Sequence, residues 1–416
     1  MPKPNPSRIR VNGGRLWDSI MRIAQIGPGA EGGSSRLALS DEDKQARDLF
    51  VAWCREADCR VTVDDMGNIF ARREGCAPQL PPVLAGSHLD TQPHGGKFDG
   101  IYGVLAALEV VRALNDCGQE TQAPLEIVVW TNEEGCRFAP AMLASGVFAG
   151  LFDKQFAWSR VDAGGRSVRD ELQRIDYFGD QSCGAHPVGA LFEAHIEQGP
   201  ILERDRDTIG VVTGAQGLRW YDIQVRGRDS HAGSTPMPGR RDALAAAAEL
   251  VLAVQDMARR HAPDAVGTVG ELTVSPNSRN TIPGGADFTV DLRHPDDDTL
   301  AALDAELRKQ CAEVAARCEV QVEVADIWHN PPLRFDLSCV DAVRAAAANL
   351  QYRHQDMVSG AGHDACQVAR IAPTAMIFVP CAGGVSHNEH ESAEADDLEA
   401  GCNVLLHAML ETAGRA

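Results

Sequence analysis

Apolar residues along the chain form short runs closed by polar turns, with stretches of helical spacing between them. The runs 82–85, 125–130 and 375–380 are rich in apolar residues and predict buried strands. Residues 41–57 and 103–114 carry apolar positions at helical spacing, and 60–64 with 68–72 predict a hairpin around Met66-Gly67. Strands that alternate with helices predict an α/β fold for this part of the chain.

The pattern changes near Thr213-Gly214. From there the order of predicted elements is β-α-β-β-α-β, which is typical of a ferredoxin-like unit. The predicted elements are strands 218–226, 267–274, 286–293 and 319–324, and helices 240–260 and 298–317. We therefore predict an inserted domain over 214–327, and a discontinuous catalytic domain over 1–213 and 328–416, to which the chain returns near Asn330-Pro331-Pro332.

Acidic residues and histidines follow the predicted strands directly. His88, Asp90 and Asp99 come after the first strand, and glycines 95 and 96 allow the backbone to fold back and present Asp99. Glu133 and Glu134 follow the second strand. Open α/β sheets bind ligands at this edge. Alone, a His-x-Asp is commonly a surface pair, and adjacent glutamates commonly lie on a solvated helix.

Two further histidines complete a set of metal-ligand candidates. His195 ends a short alternating segment, and His387 follows the strand-like 375–380. With His88, Asp99 and Glu134 they form an imidazole and carboxylate set without thiolate, which suits Zn²⁺ and also Mn²⁺, Co²⁺ or Ni²⁺. An aspartate shared between two ions would make a two-metal hydrolytic centre. The sequence alone does not decide which of the two glutamates is the ligand.

Charge and cysteine content limit the classes of function. The formal net charge is −20, which disfavours nucleic-acid and anionic-membrane partners. Twelve cysteines are scattered without a CxxC pattern, and the N-terminal residues contain no apolar segment typical of a secretory signal. No apolar run reaches membrane-spanning length. We therefore expect a cytoplasmic protein with free thiols.

The chain resembles the M20 metallopeptidase-related family in the segments that carry the candidate ligands. Two further segments share the resemblance, Asn280-Thr281-Ile282-Pro283-Gly284 and Asp291-Leu292-Arg293. Within this family they resemble the amidohydrolase branch of N-carbamoyl-L-amino acid hydrolases, β-ureidopropionases of pyrimidine degradation, and allantoate amidohydrolases. The likeness runs from about residue 15 to the C-terminus. It implies a di-metal, aminopeptidase-like catalytic domain with an inserted ferredoxin-like lid and dimerisation domain.

The resemblance also implies roles for individual residues. Glu134 would be a ligand and Glu133 the proton shuttle, with two divalent ions per subunit. His231 and Asn280 would stabilise the oxyanion, and His231 would be supplied across a homodimer interface. Asp90 would accept the free N–H of His88 and fix the tautomer of that ring.

Substrate contacts follow from the same resemblance. Gln198 would contact the carbamoyl end of a small-molecule substrate, and Arg293 would hold its carboxylate, although Arg293 could instead form a surface ion pair with Asp291. Gly362 and His363 would belong to a binding loop.

The predicted reaction is hydrolysis of N-carbamoyl-β-alanine or an N-carbamoyl-L-amino acid to the free amino acid, CO₂ and NH₃. The amino-acid sequence of 90–100 favours an N-carbamoyl amino acid over allantoate as the substrate, although His94 stands where a small or polar residue is expected. His195 stands where M20 peptidases usually carry an acidic ligand, which makes a dipeptidase the weaker alternative. The remaining alternative is a relative that binds metal without turnover.

Overall fold

The computed structural model describes residues 9–414, which divide into two compact units: residues up to Thr213 together with Phe335 onward, and Gly214–Arg334. Among residues 9–414, no helix combines the length and apolar character needed to cross a membrane. All twelve cysteines are free thiols.

The first unit is an α/β structure built on one mixed sheet. Its helices are α1 (Gly13–Ile23), α2 (Asp41–Glu56), α3 (Ile101–Cys117), α4 (Leu143–Phe148), α5 (Lys154–Trp158), α6 (Val168–Arg174), α7 (Ile201–Asp205), α10 (Leu337–Asn349), α11 (Asp364–Val368) and α12 (Ala395–Ala413), with a 3₁₀ turn at Ala382–Gly384. Its strands are β1 (Arg60–Val63), β2 (Ile69–Arg73), β3 (Val83–His88), β4 (Leu125–Trp130), β5 (Ala190–Ile196), β6 (Ile209–Ala215, which runs into the second unit), β15 (His354–Ser359) and β16 (Thr374–Val379).

The strands of this sheet are ordered β1-β2-β4-β3-β5-β16-β6, and β15 also pairs with β6. Strands β4, β3, β5 and β16 run parallel to one another, and every residue in them is buried. Parallel strands that are covered on both faces need such continuous apolar runs, which is why the sequence pattern identified them. The predicted hairpin is present, since Val63 pairs with Ile69.

The second unit is an antiparallel sheet covered by two helices. Its elements are β7 (Gly217–Arg226), β8 (Ser230–His231), α8 (Ala243–Arg260), β9 (Val266–Thr268), β10 (Leu272–Ser275), β11 (Thr281–Ile282), β12 (Gly285–His294), α9 (Asp297–Cys318), β13 (Gln321–Asn330) and β14 (Leu333–Arg334). The main strands are ordered β10-β12-β7-β13, and β9 also pairs with β12. Alternate residues of β12 join α8 and α9 in one core, so the period-two pattern of 286–293 is typical of a half-buried strand.

Two details of this unit differ from the sequence-based expectation. The predicted strand 267–274 is interrupted and forms β9 and β10, which pair with different parts of β12. The predicted strand 319–324 extends to Asn330, because β13 pairs with β7 along its whole length apart from an irregularity at 326–328. The predicted return of the chain at 328 therefore falls inside a strand, and the unit ends at Arg334.

A buried ion pair in the first unit leads to a stability prediction. Arg47 and Asp43 on α2 are fully buried, and the guanidinium donates to the Asp43 carboxylate at 2.8 Å and to the Gly67 carbonyl at 2.8 Å. We expect Asp43→Ala to lower the free energy of unfolding by about 3–5 kcal/mol, because it leaves a buried guanidinium without its counter-charge. Urea unfolding followed by circular dichroism measures the loss.

The control removes a pair of the same spacing on the surface of the same helix. Lys44→Ala breaks the solvent-exposed pair with Asp48 and should cost less than about 1 kcal/mol. Equal losses in the two variants would contradict the assignment of the buried pair as a structural element.

Candidate metal centre

The carboxyl ends of four parallel strands bring the predicted site residues together. His88 ends β3 and lies opposite Trp130 at the end of β4, so the segment with Glu133 and Glu134 begins beside it. On the other side, His195 of β5 pairs in register with Phe378 of β16. The sheet register therefore brings together segments that are distant in the sequence, such as those of His88 and His387, as expected at this edge of an α/β sheet.

The first group of potential ligands is His88, Asp99 and His195, all buried. Asp99 Oδ1 lies 3.1 Å from His195 Nε2 and 3.6 Å from His88 Nε2. Each ring has its Nδ1 within hydrogen-bond distance of a backbone carbonyl oxygen, that of Asp90 at 2.8 Å and that of Ile196 at 2.9 Å. A proton on Nδ1 leaves Nε2 as a lone-pair donor that faces Asp99. Metal-ligating histidines are held in this way.

Glycine at position 100 makes room for the first ring. Gly100 has φ of +71°, and a Cβ there would lie 2.4 Å from the His88 ring. The Asp99-Gly100 turn can approach His88 only without a side chain.

The second group is Asp99, Glu134 and His387. His387 Nε2 lies 3.4 Å from Asp99 Oδ2 and 3.5 Å from Glu134 Oε2. Asp99 thus presents one oxygen to each group. Its carboxylate is the member that the two groups share.

The electrostatics of the cluster favour a cation. Burial raises the pKa of Glu134 to about 8, and the neighbouring Asp99 and Asp90 add to the shift. Burial also raises the pKa of Glu133 well above its ordinary value, against the opposing effect of His88. Burial alone would raise the pKa of Asp99, but the adjacent His195 and His88 rings in their protonated form hold it well below its usual range. Two groups of imidazole and carboxylate ligands with an excess of acids fit a pair of divalent ions.

Glu133 stands apart from both groups. Its Oε2 lies 3.5 Å from His88 Nε2, and its side chain is largely buried at the edge of the cluster. The adjacent Glu134 reaches His387 instead. The two glutamates therefore contact different histidines of the site, and the assignment of ligand and proton shuttle stays a prediction.

Asp90 meets the free nitrogen of His88 as predicted, but through its backbone carbonyl. The Nδ1 atom of His88 is 4.0 Å from the Asp90 carboxylate and bonds to the Asp90 carbonyl instead. The carboxylate accepts hydrogen bonds from the backbone N–H groups of Glu133 and Glu134, at 3.3 and 3.2 Å. Asp90 thus orients the two glutamates, and its backbone, which a residue pattern does not reveal, fixes the His88 ring.

Gln198 touches the shared carboxylate. Its Nε2 donates to Asp99 Oδ2 at 3.0 Å and contacts Ser386 Oγ at 3.1 Å, while its Oε1 is buried and has no partner among the described residues. An acceptor without a partner beside the candidate ligands is suited to a substrate N–H.

His363 lies behind the site. The ring is buried and packs edge-to-face on His195 at 4.6 Å between centroids, with its Nε2 3.1 Å from Ser359 Oγ. Burial keeps the pKa of His363 well below its usual value, so the ring is neutral. The backbone of Gly362 approaches Met142, where a Cβ would lie 2.9 Å from the side chain. The role of these two residues in substrate binding stays a prediction.

Several polar side chains of the site were not anticipated. Gln92 donates to Glu134 at 2.6 Å, Glu193 accepts from Ser87 Oγ at 2.5 Å, and Glu391 accepts from the backbone N–H groups of Phe98 and Asp99. Glu193 had a signal in the sequence, because an acid inside the apolar strand 190–196 must be buried with a partner. Gln92 and Glu391 lie in polar loops and carried no such signal.

The remaining predicted residues belong to the second unit, described by itself. His231 of β8 pairs with Thr281 of β11, and Ala232 N–H donates to the Asn280 carbonyl at 2.9 Å, so the two predicted oxyanion residues are neighbours. His231 Nδ1 accepts from the N–H groups of Gly233 and Ser234, both at 3.1 Å. A neutral ring with this acceptor carries its proton on Nε2 and can donate from there.

Arg293 forms the ion pair that was weighed as its alternative role. Its guanidinium donates to the Asp291 carboxylate, with the closest contact at 2.8 Å. Within the second unit, the positive charge of Arg293 is therefore balanced by Asp291 on the same strand.

Comparison with known proteins shows the family of this chain. Residues 84–411 match the sequence profile described as Peptidase family M20/M25/M40. An N-carbamoyl-L-amino-acid amidohydrolase of Rhizobium meliloti is 50% identical, with 99% of each chain covered. A ureidoglycolate hydrolase of Oryza sativa subsp. japonica is 34% identical over 97% of this chain and 85% of its own. A crystal structure of an amidase of the hydantoinase/carbamoylase family from Burkholderia multivorans superimposes with a TM-score of 0.95 at 57% identity, covering 97% of this chain and 98% of that one.

Proposed function

The chain belongs to peptidase family M20/M25/M40, in its amidohydrolase branch, and from that premise we propose that it hydrolyses the carbamoyl C–N bond of N-carbamoyl-L-amino acids or N-carbamoyl-β-alanine. The products are the free amino acid, CO₂ and NH₃. The observation that carries the proposal is the pair of ligand groups that share Asp99, with Glu133 beside them.

His88, Asp99 and His195 would hold one divalent ion, and Asp99, Glu134 and His387 a second. Zn²⁺ is the first choice for this ligand set, and Mn²⁺, Co²⁺ or Ni²⁺ also suit it. When bound, such ions supply Lewis acidity that activates water and stabilises negative charge on the scissile carbonyl.

The proton transfers belong to Glu133. As a carboxylate it accepts the proton that water loses on attacking the carbamoyl carbon, and it delivers that proton to the leaving nitrogen. The C–N bond breaks as ammonia leaves, and the carbamate that remains on the amino nitrogen decomposes to the free amine and CO₂.

Other side chains orient the substrate. Gln198 Oε1, which has no partner among the described residues, accepts from the carbamoyl N–H, and His231 Nε2–H with Asn280 donates to the developing oxyanion. Arg293 holds the substrate carboxylate in a bidentate manner, which requires its guanidinium to leave or share Asp291.

The substrate is tested by an ammonia-release assay on metal-reconstituted protein. N-carbamoyl-L-methionine, N-carbamoyl-β-alanine, allantoate and ureidoglycolate are compared as ammonia sources, and a dipeptide is followed by amine release. The proposal expects the highest kcat/KM with one of the two N-carbamoyl amino acids. Ureidoglycolate is included because the rice relative carries that name. A clear preference for allantoate, ureidoglycolate or the dipeptide would overturn the ranking.

We further propose that the second unit is a ferredoxin-like lid and dimerisation domain that supplies His231 to the active site of a partner subunit. His231→Asn tests the donor, because Asn Oδ1 can replace Nδ1 as the acceptor for Gly233 and Ser234 while the Nε2–H group is lost. Steady-state kinetics should show a fall in kcat of about 10²–10³-fold with the fold intact.

Mixing variants tests the sharing of the site. Refolded mixtures of His231→Asn and Glu133→Gln should regain activity, because a mixed dimer with shared sites contains one site with both native residues. Activity that stays at the level of the separate variants, in a mixture shown to contain mixed dimers, would place His231 and Glu133 of one subunit in the same site.

A further inference from the structure

Glu391 has three hydrogen-bond contacts for which the proposed reaction does not account. Its buried carboxylate accepts from the backbone N–H groups of Phe98 at 2.9 Å and Asp99 at 3.1 Å, both on Oε1. Its Oε2 lies 3.0 Å from Ser386 Oγ, a donor in the same loop. Buried carboxylates are hydrogen-bonded, and bonds from backbone N–H groups to a carboxylate are among the stronger ones.

These contacts join two segments that each provide a ligand of the second group. The acceptor lies four residues after His387, and the donors are Asp99 and the residue before it. Ser386 stands between the two carboxylates, 3.1 Å from Asp99 Oδ2 and 3.0 Å from Glu391 Oε2. The Glu391 side chain and the Ser386 hydroxyl therefore connect the segment that carries Asp99 to the segment that carries His387.

The His387 segment is anchored on its other side by Glu389, which accepts from the Glu31 backbone N–H and lies 3.1 Å from His94 Nδ1, but neither contact involves Asp99. His387 is half exposed and has φ of +51°, a conformation that non-glycine residues adopt rarely. Space for the Glu391 carboxylate exists only because residue 96 is glycine, since a Cβ there would lie 2.0 Å from the carboxylate. Glu391 thus fits closely against the 96–99 segment and is the residue of this loop that binds the Asp99 backbone.

We propose that Glu391 is a positioning residue that holds Asp99 and His387 at ligand distance and so pre-forms the second metal group. This inference rests on the proposed function, because it assumes that the second group binds an ion. Glu391 itself lies in neither ligand group. It acts through the Asp99 backbone and through Ser386.

The test compares Glu391→Ala, Glu391→Gln and the control Glu394→Ala in the full-length protein stripped of metal with a chelator. Glu394 is an exposed acid three residues further on and makes no side-chain hydrogen bond at the start of α12. Each protein is titrated with Co²⁺ and followed by its visible absorption, which reports each bound equivalent. Hydrogen exchange of the Phe98 and Asp99 amides is measured on the metal-free proteins.

Wild type and Glu394→Ala should bind two equivalents of Co²⁺. Glu391→Ala should bind the second equivalent about 10–100-fold more weakly, with an altered spectrum and faster exchange at Phe98 and Asp99. Glu391→Gln should restore the affinity, because its amide oxygen accepts from both backbone N–H groups and its amide nitrogen donates to Ser386, which can then donate to Asp99.

Two results would overturn the positioning role: a second equivalent bound by Glu391→Ala as tightly as by wild type, or a Gln variant as weak as the Ala variant. The second result would assign the effect to charge. A wild-type protein that binds two Co²⁺ but hydrolyses no N-carbamoyl substrate would refute the proposed function alone. A wild-type protein that binds no Co²⁺ would refute both.

Discussion

Glu133→Gln is expected to lower kcat by about 10²–10⁴-fold while the metal content and the fold stay at wild-type values. The amide keeps the size and polarity of the side chain but cannot accept a proton. The Glu133 carboxylate lies 3.5 Å from His88 and belongs to neither ligand group, so its loss should not release an ion. Steady-state kinetics and elemental analysis of the same preparation provide the two measurements.

The neighbouring glutamate is the matched control. Glu134→Gln makes the identical chemical change one residue away, but it removes a ligand of the second group and should lower the bound metal as well as kcat. A Glu133 variant with native turnover and full metal content would remove the proton shuttle from this residue. Loss of metal in both variants would make Glu133 a ligand.

Asp99→Asn is expected to have the broadest effect on the metal content, because one carboxylate serves both groups. The amide keeps one oxygen and loses the charge that balances two cations, so bound metal should fall from two equivalents to less than one and turnover should become undetectable. Metal content after equilibration with Zn²⁺ measures the result.

Asp180→Asn provides the control, since Asp180 is an exposed acid of the same unit outside both groups. It should bind metal and turn over substrate as wild type does. If Asp99→Asn retained both ions, Asp99 would not be the bridge, and the two groups would have to be treated as separate sites.

The sequence predicted the strands that build the site because parallel strands buried on both faces leave a simple signal. Val83–His88 and Leu125–Trp130 are buried throughout, and polar residues directly after them must lie at one edge. The five expected ligands meet there for this reason.

The contacts that the sequence missed involve backbone groups. Asp90 was expected to accept the N–H of His88, and its carbonyl makes that contact, but its carboxylate binds the backbone of the two glutamates, which was not expected. A residue pattern says which side chains alternate on a strand, but not which carbonyl a ring nitrogen meets. Glu391 was missed for the same reason, because its partners are backbone N–H groups about 290 residues away.

The end of β13 was not predicted from the sequence for a different reason. Residues 325–329 of this strand are exposed on both faces, so no alternation of buried apolar and exposed polar residues marked them as a strand. Pairing with β7 maintains it regardless. Where register rather than burial sets the end of an element, hydrophobic pattern cannot locate it.

The position of β16 in the sheet has a consequence for synthesis on the ribosome. The strand lies between β5 and β6, yet it follows the whole second unit in the chain. The second unit is a continuous segment with its own core and can fold as soon as it leaves the ribosome. The earlier part of the first unit cannot complete its sheet at that stage, because β16, the neighbour of β5, has not yet been synthesised. Until Thr374–Val379 is synthesised, one edge of the apolar strand β5 is unpaired and prone to aggregation. We therefore expect the nascent chain to need chaperones more than the finished protein does.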